Sequence, residues 1–163
     1  FCEATVMAKP ISQLIPDFKE ALQEGLKDAV GDVVEDLIEE GPYWSGLFAE
    51  SWRVVAGAKS SIPMYIPRSY PVPRKSRENQ KPPARSLVPF IPENSNLEGY
   101  TIGNMTEYRG YAMDLLPTTK GRQMGNAPNA TAKKDWFLLY VHAPGGGMGK
   151  RINDTLTNVF KKY

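Results

Sequence analysis

From Phe18 onward, apolar residues recur at three- and four-residue steps: Phe18, Leu22, Leu26, Ala29, Val33 and Leu37, with Val30, Val34 and Ile38 beside them. That spacing lays one apolar stripe along a helix. Pro16 and Asp17 suit its start, with Asp17 as cap or first-turn acid and Glu20 as capping-box partner, and Gly41-Pro42 suits its stop. The pattern predicts a helix over 16–41. Gly25 and Gly31 each weaken it by about 1 kcal/mol relative to alanine, so packing must compensate, or one of them admits the close approach of another backbone.

The period changes within EEGPYWSGLFAESWRVV, residues 39–55. After a turn at Ser45-Gly46 and a possible helical turn from Leu47, residues Trp52, Val54 and Ala56 alternate with Arg53 and Val55, which predicts a strand over Ser51–Gly57. Gly99–Asn104 reads as a second short strand, and Thr106–Leu116 as a short helix or another strand. A polar, turn-rich loop follows. The apolar run WFLLYVHA, Trp136–Ala143, is the strongest candidate for a buried strand, and a helix over 149–162 closes the chain with Ile152, Leu156, Val159 and Phe160 on one face. No internal repeat is present.

Between Ser60 and Asn96 stand eight prolines, Pro63, Pro67, Pro71, Pro73, Pro82, Pro83, Pro89 and Pro92. Proline donates no ladder hydrogen bond, so regular helix or central strand is not expected here. The interleaved apolar side chains of PMYIP, SYPVP and LVPFIP are not those of a free linker. An extended arm over 60–96, lying on an apolar surface, fits better. The expected fold is α+β in a single domain, 1–163: a small, mostly antiparallel sheet of Ser51–Gly57, Gly99–Asn104 and Trp136–Val141, packed by the first and last helices, with the proline-rich arm reaching outward.

Composition narrows the class. A chain of 163 residues suits one core, and its 14 prolines exceed the usual share of about 5%. No apolar run reaches the roughly 18 residues of a membrane helix, and no secretory leader pattern opens the chain. A soluble, unexported protein is expected, with MAKPISQ from Met7 as a natural start and residues 1–6 an extension or a trimming remnant. One cysteine, Cys2, excludes an internal disulfide and a cysteine metal cluster.

The net charge of +2 conceals a separation along the chain. Nine acids lie between Asp17 and Glu40 (Asp17, Glu20, Glu24, Asp28, Asp32, Glu35, Asp36, Glu39, Glu40), against Lys19 and Lys27. Between Arg68 and Arg85, in the arm, lie six bases (Arg68, Arg74, Lys75, Arg77, Lys81, Arg85), against Glu78. In a ring, one copy's arm can meet the next copy's helix, a heterologous contact that closes if the rotation closes. With Tyr65, Tyr70 and Phe90 nearby, the same arm suits single-stranded nucleic acid through charge and stacking, the alternative from another class.

Catalytic signatures fail one by one. APGGGMGKR lacks both ends of a phosphate-binding loop, since Pro144 stands where glycine is needed and Arg151 follows Lys150; it reads as a flexible joint between the last strand and the last helix. His142 is the only histidine and has no cysteine or carboxylate cluster spaced to join it. The acids of DLIEE belong to a solvated helix face. No enzyme, no metal site and no cofactor is expected. Three Asn-x-Thr sites, at Asn104, Asn129 and Asn153, are expected by chance.

A long amphipathic helix, a break, then Pro-x-x-(Ser/Thr)-Gly-x-x-x-x-Ser leading into a strand is matched here by Pro42, Ser45, Gly46, Leu47, Ser51 and Trp52. Further on come Ile102, a strand-ending Asn104, then Tyr108 or Tyr111 with Ala112, and the loop GRQMGNAPN. This order resembles the tail-completion or neck proteins of long-tailed bacteriophages, a group related to the minor tail protein Z of phage lambda. The arm looks like an insertion relative to that family, and Phe48 stands where the family often has a basic residue.

The resemblance implies a homo-oligomeric ring of six copies at the head-to-tail junction of a virion, assembled in the host cytoplasm. It would join neck to tail alongside other ring proteins and border the channel through which double-stranded DNA passes; a tail terminator ring is the alternative within that class. An acidic lining repels phosphate and lets DNA slide, whereas tight binding would stall it. The expected contact residues are therefore Arg68, Arg74, Lys75, Arg77, Lys81 and Arg85 on the arm, and Glu24, Asp28, Asp32 and Glu35 on a helix face turned to the channel or to a neighbour's arm.

Overall fold

A single helix, α1, spans Ile11–Glu40 and organises the rest of the chain. Its 30 residues extend about 45 Å at 1.5 Å per residue. The computed structural model describes residues 10–43, 46–57, 80–106, 109–113, 132, 133, 135–142, 144 and 147–162. α1 begins earlier than the expected start at Pro16 and takes that proline into its second turn. Pro16 lies so near the end that only the ladder bond to the Ser12 carbonyl is lost, and the first turn is closed by Gln13 N donating to the Pro10 carbonyl at 2.9 Å.

Most of the stripe expected along α1 is its inward face: Ala29, Val33, Val34, Leu37 and Ile38 are buried and Leu22, Leu26 and Val30 half-buried, whereas Phe18 at its start is exposed. The chain then breaks at Gly41, forms a short helix α2 (Leu47–Glu50) behind the left-handed Gly46, and enters strand β1 (Trp52–Ala56). β1 pairs antiparallel with β2 (Tyr100–Asn104) in the register Trp52 to Asn104, Val54 to Ile102 and Ala56 to Tyr100. Alternation places Trp52 and Val54 in the core and Arg53 in solvent. A single helical turn, α3 (Arg109–Ala112), follows β2.

Helices plus a two-stranded antiparallel sheet make the molecule α+β. The third strand expected over Trp136–Val141 is instead helix α4, Trp136–His142. An unbroken apolar run carries no period and does not distinguish a buried strand from a buried helix. Burial supplies what the run lacks: Trp136, Phe137, Tyr140 and Val141 turn inward, while Leu138, Leu139 and His142 face solvent, a helical period. The joint that follows therefore links two helices rather than a strand and a helix. Gly147 opens α5 (Gly147–Phe160) at φ 58°, and a Cβ there would lie 2.0 Å from the Tyr140 carbonyl oxygen.

α5 packs along α1 through the face expected for it. A Cβ on Gly25 would come within 2.9 Å of Leu156 Cδ2, so this glycine admits α5 to close range. Phe18 and Phe160 stack at 5.6 Å at the far end of the pair. On the other side of α1, Gly31 receives Ile91, whose Cδ1 would lie 3.2 Å from an added Cβ. The close partners of both glycines are side chains, so of the two readings of the sequence the structure takes packing rather than the close approach of a backbone. Phe48 joins the aromatic centre of the core, edge-on to Trp52 at 5.6 Å and to Trp136 at 6.3 Å.

Candidate functional site

The resemblance-bearing residues fall at the junction between α1, α2 and the hairpin. Gly46 takes φ 91°, a left-handed conformation that favours glycine, and Glu50 N closes α2 by donating to its carbonyl at 2.9 Å. Ser51 Oγ donates to the Leu47 carbonyl at 2.5 Å, and the Ser51 carbonyl accepts from Met105 N at 2.9 Å, extending the sheet by one rung. Trp52 is buried beneath that rung, and its indole Nε1 has no acceptor among the described residues.

Asn104 is the hub. Its Nδ2 donates to the Phe48 carbonyl at 2.8 Å, while its Oδ1 accepts from the Thr106 amide at 3.0 Å and the Thr106 hydroxyl at 2.7 Å. The Ala112 carbonyl accepts from Trp136 Nε1 at 2.9 Å, tying α3 to α4. Gly46, Ser51, Trp52, Asn104 and Ala112 are thus used in turning, pairing and packing the chain. Pro42 follows the end of α1. Ser45 and Tyr108 lie outside the described residues, as do residues 121–129 of the GRQMGNAPN loop.

The acidic face of α1 forms a second cluster. Arg85 Nη1 lies 3.1 Å from both Asp32 Oδ1 and Glu35 Oε2. From α5, Arg151 approaches Asp32 and Glu35 through Nη2, at 3.7 and 3.8 Å, and Asp36 through Nε at 3.6 Å. Thr155 donates its hydroxyl to Asp32 Oδ2 at 2.6 Å, and Tyr140 donates to Asp36 Oδ2 at 2.8 Å. The hydrogen bond that Arg85 donates to Glu35 is the main cause holding the guanidinium pKa above its ordinary value. Burial first, then the Asp36 carboxylate, pushes the Tyr140 phenol well up. Within one copy this cluster joins α1, α4, α5 and the segment around a short 3-10 turn at Ala84–Leu87.

That segment runs along α1 in the opposite direction. Lys81 Nζ donates to the Glu39 carbonyl at 2.9 Å and sits 6.0 Å from the centre of the Tyr43 ring. Arg85 follows at Asp32 and Glu35, Ile91 at Gly31, and at the far end Gln23 Nε2 donates to the Ser95 carbonyl at 3.2 Å. Prolines suit a strap that runs beside a helix without joining a ladder. Lys81 and Arg85 are thus both engaged by α1 of their own chain. Arg68, Arg74, Lys75 and Arg77 lie outside the described residues.

Of the four acids singled out on α1, Asp32 and Glu35 belong to the cluster, Glu24 pairs with Lys162 at 3.5 Å, and Asp28 is exposed. Glu20, Glu24 and Glu93 border an open cleft with Lys27 and Tyr100, a surface whose carboxylates repel phosphate. The contributions of Arg151, Thr155 and Tyr140 were not singled out from sequence. The only signal for them was their position on the inward faces of α4 and α5. Among the described residues, no three His, Cys, Asp or Glu side chains group to hold a metal, and no helix is long and apolar enough to cross a membrane.

Compared with known proteins, the chain matches no protein-family model, no curated protein and no solved structure.

Proposed function

We propose that this chain is a structural subunit of a ring at the neck or tail top of a bacteriophage virion, joining head to tail and bordering the DNA channel. The observation that carries the proposal is the use made of the motif positions: Ser51, Trp52, Asn104 and Ala112 meet at one junction and serve its architecture. On this reading, the positions whose order resembles that of neck proteins preserve a subunit's shape rather than a reaction. The acidic, outward Asp28 and the carboxylate-rich cleft beside it suit a wall that DNA slides past.

Among the described residues the sheet holds two strands, and a sheet this small suits pairing between copies. The ring is proposed to contain six copies and to stack on other neck and tail rings.

Imaging of purified particles tests this directly. A symmetric ring of this chain at the head-to-tail junction is expected, and particles assembled without it are expected to leave heads and tails unjoined. Absence of the chain from particles that infect normally would overturn the proposal. Asp28→Lys tests the channel role separately, because Asp28 is exposed while Asp32 also holds the fold. Normal assembly with slowed genome delivery is expected, and unchanged delivery would remove α1 from the channel.

A further inference from the structure

Apart from Phe90, which stands alone on the proline-rich segment at 82% exposure, the exposed large apolar side chains of the described residues fall in two groups. Leu14, Ile15, Phe18 and Phe160, at 48%, 70%, 61% and 36% exposure, form one group; Leu138 and Leu139, at 38% and 58%, form the other on α4. The first group exists because α1 outruns α5. The Phe18–Phe160 stack is the last rung between the two helices, and the seven residues Ile11–Asp17 extend about 10 Å beyond it. The stripe that α5 covers at Ala21 and Gly25 continues through Phe18 and Leu14 at the same helical steps. No element among the described residues lies over it.

The second group is the outward face of α4, which packs near the other end of α1 through Tyr140 on Asp36 and Trp136 beside Gly41. From Phe18 to Asp36 the axis advances about 27 Å, so one copy cannot lay its own α4 leucines on its own overhang. Two copies can.

We infer that the α1 overhang of one copy docks on the outward face of α4 of the next, a head-to-tail contact between copies of this chain. The inference rests on the proposed ring and names the surfaces that would build it. Two different patches on one molecule make a heterologous contact, the kind that closes into rings. The overhang and Phe160 expose on the order of 400 Å² of side chain, given the 150–250 Å² that aromatic residues carry. A standard interface takes about 800 Å² from each partner, with an apolar centre and a polar rim. The patch is the right size for that centre, with Asp17, Lys19 and Glu20 placed to supply a rim.

Ile15→Glu and Leu139→Glu, each at an outward position, test the contact in the full chain by sedimentation from micromolar to millimolar concentration, with circular dichroism confirming the fold. Wild type is expected to associate, and each variant to weaken association at least 10-fold. An equimolar mixture of the two variants is expected to form dimers and nothing larger, because each copy keeps one intact face. A photo-crosslinker at Ile15 is expected to capture α4 of another copy.

Four results would overturn the inference: association lost with Ile15→Glu but kept with Leu139→Glu, which marks overhang-to-overhang pairing; association unchanged in both variants; crosslinking of Ile15 within its own copy; or a wild-type monomer at millimolar concentration. The proposed ring is judged separately, by whether particles carry this chain at the head-to-tail junction. A ring there alongside unchanged association in both variants would leave that proposal standing on another surface.

Discussion

Asn104 Nδ2 donates to the carbonyl of Phe48 at 2.8 Å across 56 positions of sequence, in a site where Asn104 is 2% exposed. The end of the second strand is thereby fastened to the short helix that precedes the first. Asn104→Ala leaves the buried Thr106 amide without that acceptor, at about 1–3 kcal/mol, and removes one donor from the Phe48 carbonyl, which keeps Ser51 N at 3.3 Å. Chemical denaturation is expected to show a loss in that range or above, with the folded topology kept. A loss below about 0.5 kcal/mol would mean that the hub does not hold the junction.

The two buried tryptophans are expected to respond differently to the same change. Trp136 Nε1 donates to the Ala112 carbonyl, whereas Trp52 Nε1 has no acceptor among the described residues. Trp136→Phe removes ring volume and orphans a carbonyl; Trp52→Phe removes similar volume and relieves an unpaired donor. Trp136→Phe is expected to cost more by about 1–3 kcal/mol, measured by urea denaturation of both variants. Equal losses would show that volume alone governs both sites.

A matched pair of glycines tests the turn between α4 and α5. Gly147 has φ 58° and no room for a Cβ, while Gly149 has open space around it within the helix. Gly147→Ala is expected to lower stability by well over 1 kcal/mol and to raise hydrogen exchange across α4 and α5. Gly149→Ala is expected to raise stability by about 0.5–1 kcal/mol. Thermal melts of the two variants shifting the same way would contradict this account of the turn.

Alkaline pH should unfold the protein through Tyr140. Its phenol titrates above the ordinary value in the fold because of burial and then the Asp36 carboxylate; Tyr100 shifts the same way through burial and then Glu93. A raised folded value means that the stabilisation is fully present below the unfolded value of about 10 and is lost as pH rises beyond it. The melting temperature is expected to fall above about pH 10, and less steeply in Tyr140→Phe. An identical slope in that variant would assign the alkaline loss to other groups.

The stripe of α1 was legible because Val33, Leu37 and their neighbours repeat with a helical period, and the β1–β2 pair because Trp52 and Val54 alternate with Arg53. WFLLYVHA was not, since every position from Trp136 to Val141 is apolar and only contact with the core separates Trp136 and Tyr140 from Leu138 and Leu139. The start of α1 was missed because proline favours the first position of a helix, yet Pro16 sits in the second turn at the cost of one hydrogen bond. The acidic run was visible, but its partners Arg151, Thr155 and Tyr140 come from more than 100 residues away.

Local spacing was enough to specify the long helix, the paired strands, the break at Gly41 and the separation of acids from bases, since each depends on residues within a few positions of one another. The fate of a uniformly apolar run, the choice of Asp32 and Glu35 over Asp28 as the grip for Arg85, and the exposure of Leu14, Ile15 and Phe18 were decided only when the chain packed. Those outcomes depend on which surfaces meet and where α5 runs out, and distance along the chain carries no record of either.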